Sequence, residues 1–395
     1  MKIVGIICEY NPFHLGHEKQ IRRIHEFFSD DCAVVCLMSG NFVQRGAPAV
    51  FDKSLRAQAA VLSGADLVLE LPVTYALSSA EGFAAGGVEI LGKFCDFLCF
   101  GTESGTEESL MAAAALLLSP GFSDALRKEL ATGKSFPAAR QAAMGEMGVL
   151  LEKPNDILAV EYCKAILRSG CNLEPLPIAR CGNYHASVPD AENPSATALR
   201  QLILSGGDWT PYVPIRSQTA FKDAPLHTLQ AGERAILARL RSMEDAEFEA
   251  LPYGSEGLWR KFMHACRAQS SLEQILSATK SKRYTRSRLD RMLMCAFLGI
   301  SREMMEAPTP YTRVLALGEQ GREVLRSARK TALFPHIGEA MEDPYWNLEQ
   351  RCNDLYGLFR TDCPDPAGLE SKRRVYLRKE TAVTAASPTR IPEIP

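Results

Sequence analysis

The chain opens with an apolar run, Ile3 to Cys8, that stops at Asn11-Pro12. A short, almost unbroken apolar run suits a central parallel strand covered on both faces. The residue before a proline is pushed out of the helical region, so the run must break there. From Gly16 the apolar positions recur at spacings of three and four, through Ile21, Ile24, Phe27 and Phe28, which predicts an amphipathic helix. The two patterns then alternate. Strands are expected at 2–8, 33–38, 67–71, 97–101 and 173–178, with helices at about 16–29, 53–63, 79–93, 106–118 and 156–169. Strands alternating with helices imply right-handed crossovers and an α/β fold with a doubly wound parallel sheet. Ligands of such sheets bind beyond the carboxyl ends of the strands.

Residues from about 120 to 150 read as helical excursions without a chemical signature. The pattern changes at Gly206-Gly207-Asp208-Trp209-Thr210-Pro211. A boundary there separates an α/β domain, 1–206, from a mostly helical domain, 207–380. The second domain is expected to hold helices at about 227–241, 256–267, 271–279, 285–298 and 344–358. Arg313–Leu317, Glu319–Ser327 and Thr331–Phe334 suggest a small strand–helix–strand element within it. Residues 381–395, rich in Thr, Ala, Ser and Pro, read as a flexible tail.

At 395 residues the chain is long enough for two domains with a sizeable core. No apolar run is long enough to span a bilayer, and the first residues read as a strand rather than a signal peptide, so a cytoplasmic protein is expected. The twelve cysteines show no C-x-x-C or zinc-ribbon spacing and fall largely in apolar runs. They are expected to be reduced, small hydrophobes, with no metal site. A net charge of −2 argues against a uniformly basic coat and leaves room for a local basic patch.

Candidate chemistry concentrates at His14-Leu15-Gly16-His17, where the first helix begins after the first strand. Free N–H groups and a partial positive charge make such a helix start attractive to phosphate. Gly16 lets a ligand approach the backbone. Two imidazoles there suit charge building up on a phosphorus under attack. Alone, the four residues also fit polar capping. The stretch nevertheless resembles the H-x-G-H signature of the nucleotidyltransferase superfamily, which shares its fold with class I aminoacyl-tRNA synthetases. That superfamily carries a second signature, Ser-Ser-Thr-x-x-Arg, and this chain has Ser195-Ala196-Thr197-Ala198-Leu199-Arg200. Ala196 replaces one serine, removing a hydroxyl; Ser195 suits an N-cap.

Three further segments follow strand ends or precede helices. Asn41, Gln44 and Arg45 sit in the loop after the second strand and are candidates for an acyl or phosphate group, with Lys53 and Arg56 on the next helix. Asn155 opens a helix, and Arg180 ends a strand on the same sheet edge. Lys280, Lys282, Arg283, Tyr284, Arg286, Arg288 and Arg291 cluster at a helix start. Cations there are disfavoured by the helix dipole, and the cluster suits an RNA backbone with one base stacked on Tyr284. A solvated basic face is the plain alternative.

Small nucleotidyltransferases of the superfamily are much shorter. The blocks from Glu9 to His17, Met38 to Gly46, Gly64 to Pro72, Lys153 to Leu158 and Lys282 to Arg286 together resemble the bacterial tRNA(Met) cytidine acetate ligases. That resemblance covers most of the chain. It implies that ATP and acetate form acetyl-adenylate, and that the acetyl group passes to the N4 amine of the wobble cytidine of elongator tRNA(Met). By the same resemblance His14, His17, Thr197 and Arg200 are catalytic. Ile7, Glu9, Tyr10, Asn11, Pro12, Phe13, Gly16, Gln20, Gly101, Asn155, Arg180 and Ser195 would bind ATP. Asn41, Gln44 and Arg45 would meet the substrate, and the Lys280–Arg291 cluster would bind tRNA. Mg2+ would come with the ATP, without a dedicated cage and without an obligate protein partner. His185 lacks the acidic residue expected after it and is given no role. Two alternatives stay open: an adenylyltransferase releasing a small nucleotide, and a non-catalytic RNA-binding protein with a nucleotide pocket.

Overall fold

The computed structural model describes residues 1–179, 194–328 and 343–378. Its main sheet contains β1 (Lys2–Cys8), β2 (Cys32–Ser39), β5 (Leu67–Leu71), β6 (Phe97–Thr102), β7 (Glu174–Ala179), β8 (Arg313–Leu317) and β9 (Tyr376–Leu377). The strand order is β7-β6-β1-β2-β5-β8-β9. The pairs from β7 through β5 are all parallel. A separate two-residue hairpin joins β3 (Phe42–Val43) to β4 (Ala47–Pro48).

Every residue of β2 and β5 is buried, as the unbroken apolar runs require. Alternate side chains feed two layers. Ile3, Ile7, Val35, Leu37 and Leu69 pack on one face; Val4, Ile6, Val34, Cys36 and Met38 pack on the other. The helices begin with α1 (Leu15–Phe27), α2 (Lys53–Leu62), α3 (Val73–Ala76), α4 (Ala80–Leu91) and α5 (Glu107–Leu118). They continue with α6 (Phe122–Ala131), α7 (Phe136–Ala143), α8 (Pro154–Ser169), α9 (Ala196–Leu204) and α10 (Ile215–Phe221). Residues of α4, α5 and α8 cover the first face, and those of α1, α2, α9 and α10 cover the second. The fold is therefore a doubly wound α/β sheet.

Beyond it lie α11 (Leu229–Ser242), α12 (Asp245–Glu249), α13 (Leu258–Ala268), α14 (Leu272–Thr279), α15 (Arg286–Leu298), α16 (Arg302–Glu306), α17 (Gly321–Ala328) and α18 (Pro344–Tyr356). Ile236, Phe262, Ile275, Leu293 and Tyr356 belong to a separate apolar cluster, which also takes in Phe42, Val73 and Leu77 from the sheet half.

One expected element lies elsewhere. Arg313–Leu317 is β8 of the main sheet, antiparallel to β5, with Arg313 opposite Glu70 and Leu317 opposite Leu67. A buried charge pair joins the two strands: Glu70, 3% exposed, receives Arg313 at 2.7 Å. A short strand pattern carries no information about which sheet it joins. Thr331–Phe334, Arg180, His185 and the 381–395 tail lie outside the described residues.

Candidate active site

The strand order reverses between β1 and β6, and the carboxyl ends of these two neighbours open a cleft. Its volume is about 890 Å3. Glu9, His14, His17 and Gln20 line it from the β1–α1 side, and Gly101 lines it from the end of β6.

His14 is the N-cap of α1, and its Nδ1 accepts the Gly16 N–H at 3.1 Å. His17 Nδ1 accepts the His14 N–H at 3.2 Å, so the two side chains form a reciprocal capping box. The rings stack with centroids 3.7 Å apart. A neutral imidazole that accepts at Nδ1 carries its proton on Nε2. The capping that explains these histidines structurally therefore also makes each ring an Nε2–H donor on the cleft. Capping and ligand binding are compatible here rather than rival readings.

Of the predicted neighbours, Tyr10 and Asn11 line the cleft while also being held by the protein, whereas Phe13 lies behind it. Phe13 is fully buried. The Tyr10 ring is buried against His17, its hydroxyl 3.3 Å from Cys36 Sγ, and its backbone is left-handed at φ 46°. Burial pushes the Tyr10 phenol and the Cys8 thiol well above their ordinary values, so neither serves as an anionic nucleophile. Asn11 Oδ1 accepts the Val50 N–H at 2.9 Å. Pro12 and Gly16 shape the turn without lining the cleft, Ile7 and Gln20 line it, and Gln20 Nε2 reaches Cys99 Sγ at 3.5 Å.

The second signature arrives at the same place. Ser195 caps α9, its Oγ accepting the Ala198 N–H at 3.1 Å, and Ser195 and Ala196 line the cleft. The absent hydroxyl at position 196 is thus missing from the cleft wall itself. Arg200 donates to the Asn11 carbonyl at 2.7 Å and to Thr197 Oγ1 at 3.2 Å. Arg200 and Thr197 are not among the lining residues. Here they tie the two signatures together one turn behind the wall.

On the β6 side, Asn155 lines the cleft and donates to Glu103 Oε1 at 2.6 Å. Asp156 accepts from the Glu103 N–H at 2.7 Å, and from the Thr102 and Ser104 hydroxyls at 2.5 Å each. Burial pushes the Asp156 carboxyl up, but the hydrogen bonds from Ser104 and Thr102 outweigh it and hold the group below the usual range. It latches the β6 loop to the start of α8.

The loop after β2 divides. Gln44 and Arg45 line the cleft, and Glu9 Oε1 accepts the Gln44 N–H at 2.9 Å. Asn41 turns away from it: its amide donates to Asp52 at 3.2 Å and to Asn353 at 2.8 Å, and its oxygen caps the Lys53 N–H at 2.7 Å. Arg56 is fully buried and donates to the carbonyls of Glu9, Ser39, Gly40 and Phe51. A guanidinium so placed satisfies the orphan carbonyls at the ends of β1 and β2, and so sets the cleft rim. Lys53 is equally buried, between Glu70 at 2.7 Å and Glu370 at 3.0 Å.

The basic cluster also divides. Arg286, Ser287, Asp290 and Arg291, from the first turns of α15, line the cleft. Arg286 is braced by Glu273 and Asp290, both at 2.8 Å. Arg291 donates to the Gln44 carbonyl at 3.3 Å. Gly46 (φ 74°) lies so close to the backbone of Asp290 and Arg291 that no side chain fits there. Tyr284 corrects the expectation of a stacked base: its ring is buried, its hydroxyl reaches Glu256 at 3.4 Å, and Arg288 lies over it at 4.9 Å. Lys280, Lys282 and Arg283 remain exposed, with Arg283 paired to Glu256 at 2.7 Å.

Sequence reasoning missed Ser287 and Asp290 as cleft residues, and also Phe83, Phe136, Arg140 and Tyr162. Their spacing marked helices, and nothing local shows which helix reaches a cleft. Among the described residues, no three His, Cys, Asp or Glu side chains gather as a metal site, and no single helix is long and apolar enough to cross a membrane.

Comparison with known proteins agrees with this geometry. A family model described as HIGH Nucleotidyl Transferase matches residues 1–368. A tRNA(Met) cytidine acetate ligase of Alkaliphilus metalliredigens is 36% identical, over 91% of this chain and 94% of its own. One from Kosmotoga olearia is 34% identical, over 96% and 100%. The crystal structure of Thermotoga maritima TmcAL bound with alpha-thio ATP superposes with a TM-score of 0.85 at 30% identity, covering 96% of this chain and 100% of that one. The chain thus belongs to the HIGH nucleotidyl transferase family, within its group of tRNA(Met) cytidine acetate ligases.

Proposed function

We infer that this chain is an ATP-dependent tRNA(Met) cytidine acetate ligase. The observation that carries this reading is the pair of stacked Nε2–H imidazoles at the N-terminus of α1, in a cleft walled by the second signature and by α15. Acetate is a poor acylating agent until a good leaving group is attached to it. Adenylation supplies that group: the acetate oxygen bonds to the α-phosphorus of ATP and pyrophosphate leaves. The cytidine N4 amine then takes the acetyl carbon, loses a proton and expels AMP.

His14 and His17 donate to the phosphate oxygens as charge builds there, assisted by the first N–H groups of α1. Arg200 and Thr197 act on this site by holding the Asn11 turn against α9. Asn155 and Gly101 hold the nucleoside at the β6 end, Ser195 supports the phosphates, and Gln44 and Arg45 face the acyl group. Arg286, Arg291 and the exposed Lys280, Lys282 and Arg283 draw the tRNA backbone toward the cleft mouth. Among the described residues, the cleft carboxylates are Glu9 and Asp290, each already hydrogen-bonded within the protein. This donor set suits a Mg2+ carried by the ATP phosphates, not one caged by the protein. The helices from α11 to α16 form the tRNA-binding part.

The deciding experiment is mass spectrometry of tRNA nucleosides after incubation with ATP, labelled acetate and the protein. Labelled N4-acetylcytidine is the expected product. Acetate-dependent exchange of pyrophosphate into ATP with no labelled nucleoside would favour an enzyme with a small product. Absence of both would leave a non-catalytic RNA-binding protein.

A further inference from the structure

The wall of the cleft that belongs to α7 is unexplained by the ATP site. Phe136 opens this helix and is 55% exposed while lining the cleft. Arg140, one turn on and so on the same face, lines it too. Arg140 is not loose: Glu161, 2% exposed, holds it at 2.5 Å, and Lys164 holds Glu161 at 2.7 Å. The same cleft is also lined by the apolar Phe83, Leu151 and Leu158. The cleft thus combines two unlike kinds of wall in one continuous volume, a polar one at the histidines and one from α7 that carries a phenylalanine and an arginine. Its volume, about 890 Å3, is near the top of the roughly 300–1,000 Å3 that accommodates a single small ligand.

A mostly exposed phenylalanine at the lip of a catalytic cleft costs hydrophobic free energy unless something covers it in use. Among the partners that the acetate-ligase reading brings to this cleft, one that is flat, π-faced and attached to a polyanion fits an exposed ring with a fixed arginine one turn on. An unpaired RNA base meets each condition: bases of single-stranded loops are splayed out and stacked on aromatic rings, with arginine nearby. The acetylated amine belongs to a base in such a loop, and it must reach the adenylate where the adenylate forms.

Resting on the acetate-ligase reading, we propose that Phe136, backed by Arg140, is the platform on which an unpaired base of the tRNA anticodon loop stacks as its cytidine enters the cleft. Stacking on one aromatic ring tolerates any base, so the platform contributes affinity and placement, and sequence choice lies elsewhere.

The test measures two reactions on the full chain. For Phe136→Ala, kcat/KM for tRNA acetylation is expected to fall about tenfold to a hundredfold, mainly through KM. Acetate-dependent pyrophosphate exchange, which needs no RNA, is expected to stay within about twofold, and this also shows that the variant is folded. Phe136→Tyr keeps the ring and should retain acetylation. Wild-type tRNA kinetics in the alanine variant would overturn the platform, as would a matching rise in KM for ATP during exchange, which would give the ring to adenine. A tyrosine variant as impaired as the alanine one would also overturn it. Failure of the unmodified protein to acetylate tRNA would sink the acetate-ligase reading itself, and is visible separately.

Discussion

His14 and His17 act as a pair because each commits its Nδ1 to a backbone N–H, leaving Nε2 as the donor. Replacing His17 by alanine removes one donor at the phosphorus and the partner ring of His14. Exchange of pyrophosphate into ATP should fall by roughly two to three orders of magnitude, as with the loss of an oxyanion donor; a rate within threefold of normal would refute the role. Gly46→Ala makes a different point. At φ 74° and against the α15 backbone, a Cβ must displace either the loop or the helix. A loss of about 1–3 kcal/mol in urea unfolding is expected, with a raised KM for acetate in the exchange assay, because Gln44 and Arg45 move with the loop. The histidines were legible in the chain because their partners lie within three residues. Asn41 and Tyr284 were not: Asn353 and Glu256 are far off in sequence, and each turns an apparent ligand into framework.

The elements that carry the site are joined by single side chains. Asp156 holds the loop after β6 to α8, and Arg56 holds the ends of β1 and β2. Asp156→Ala leaves the Thr102 and Ser104 hydroxyls and the Glu103 N–H without their acceptor. It should lower stability by about 2–4 kcal/mol and raise KM for ATP in the exchange assay, since Asn155 and Gly101 flank the latch. An unchanged KM would mean that the loop holds its place unaided. The start of α15 is a second junction. Arg283 and Arg286 are ion-paired, whereas Lys282 is exposed on the preceding turn. Lys282→Ala should weaken tRNA binding alike for different tRNAs and reduce the slope of log affinity against log salt by about one; an unchanged slope would remove Lys282 from the interface. Helix and strand positions were readable from periodicity to within a residue or two for most elements. The pairing of β8 with β5 was not, because strand pattern carries no address.

The molecule closes on itself through buried charge. Lys53, Glu70, Arg313, Glu349, Glu370 and Arg373 meet where α2, β5, β8, α18 and the last described segment converge. Burial pushes the Glu370 carboxyl up, but Lys53, Arg313 and Arg373 outweigh it and hold the group at about 2, below its ordinary 4.5. A carboxylate depressed on folding contributes fully above its unfolded value, and the contribution is lost as pH falls toward the folded one. Glu349, raised by burial and by Glu70, contributes nothing in that direction. The stability gap between the native protein and Glu370→Gln should therefore be largest above about pH 5 and narrow steadily as pH falls toward 2; a constant gap in urea unfolding would contradict the network. In the chain alone, the alternation of strand and helix, the phosphate-seeking helix start and the two signatures are settled, because hydrophobic period and capping chemistry act between residues a few positions apart. Folding alone decides that α15 and α7 become walls of the same cleft and that Arg200 braces the histidine turn. It also decides that a strand from the second half completes the first half's sheet. Those outcomes depend on contacts between residues up to hundreds of positions apart, which no local pattern encodes.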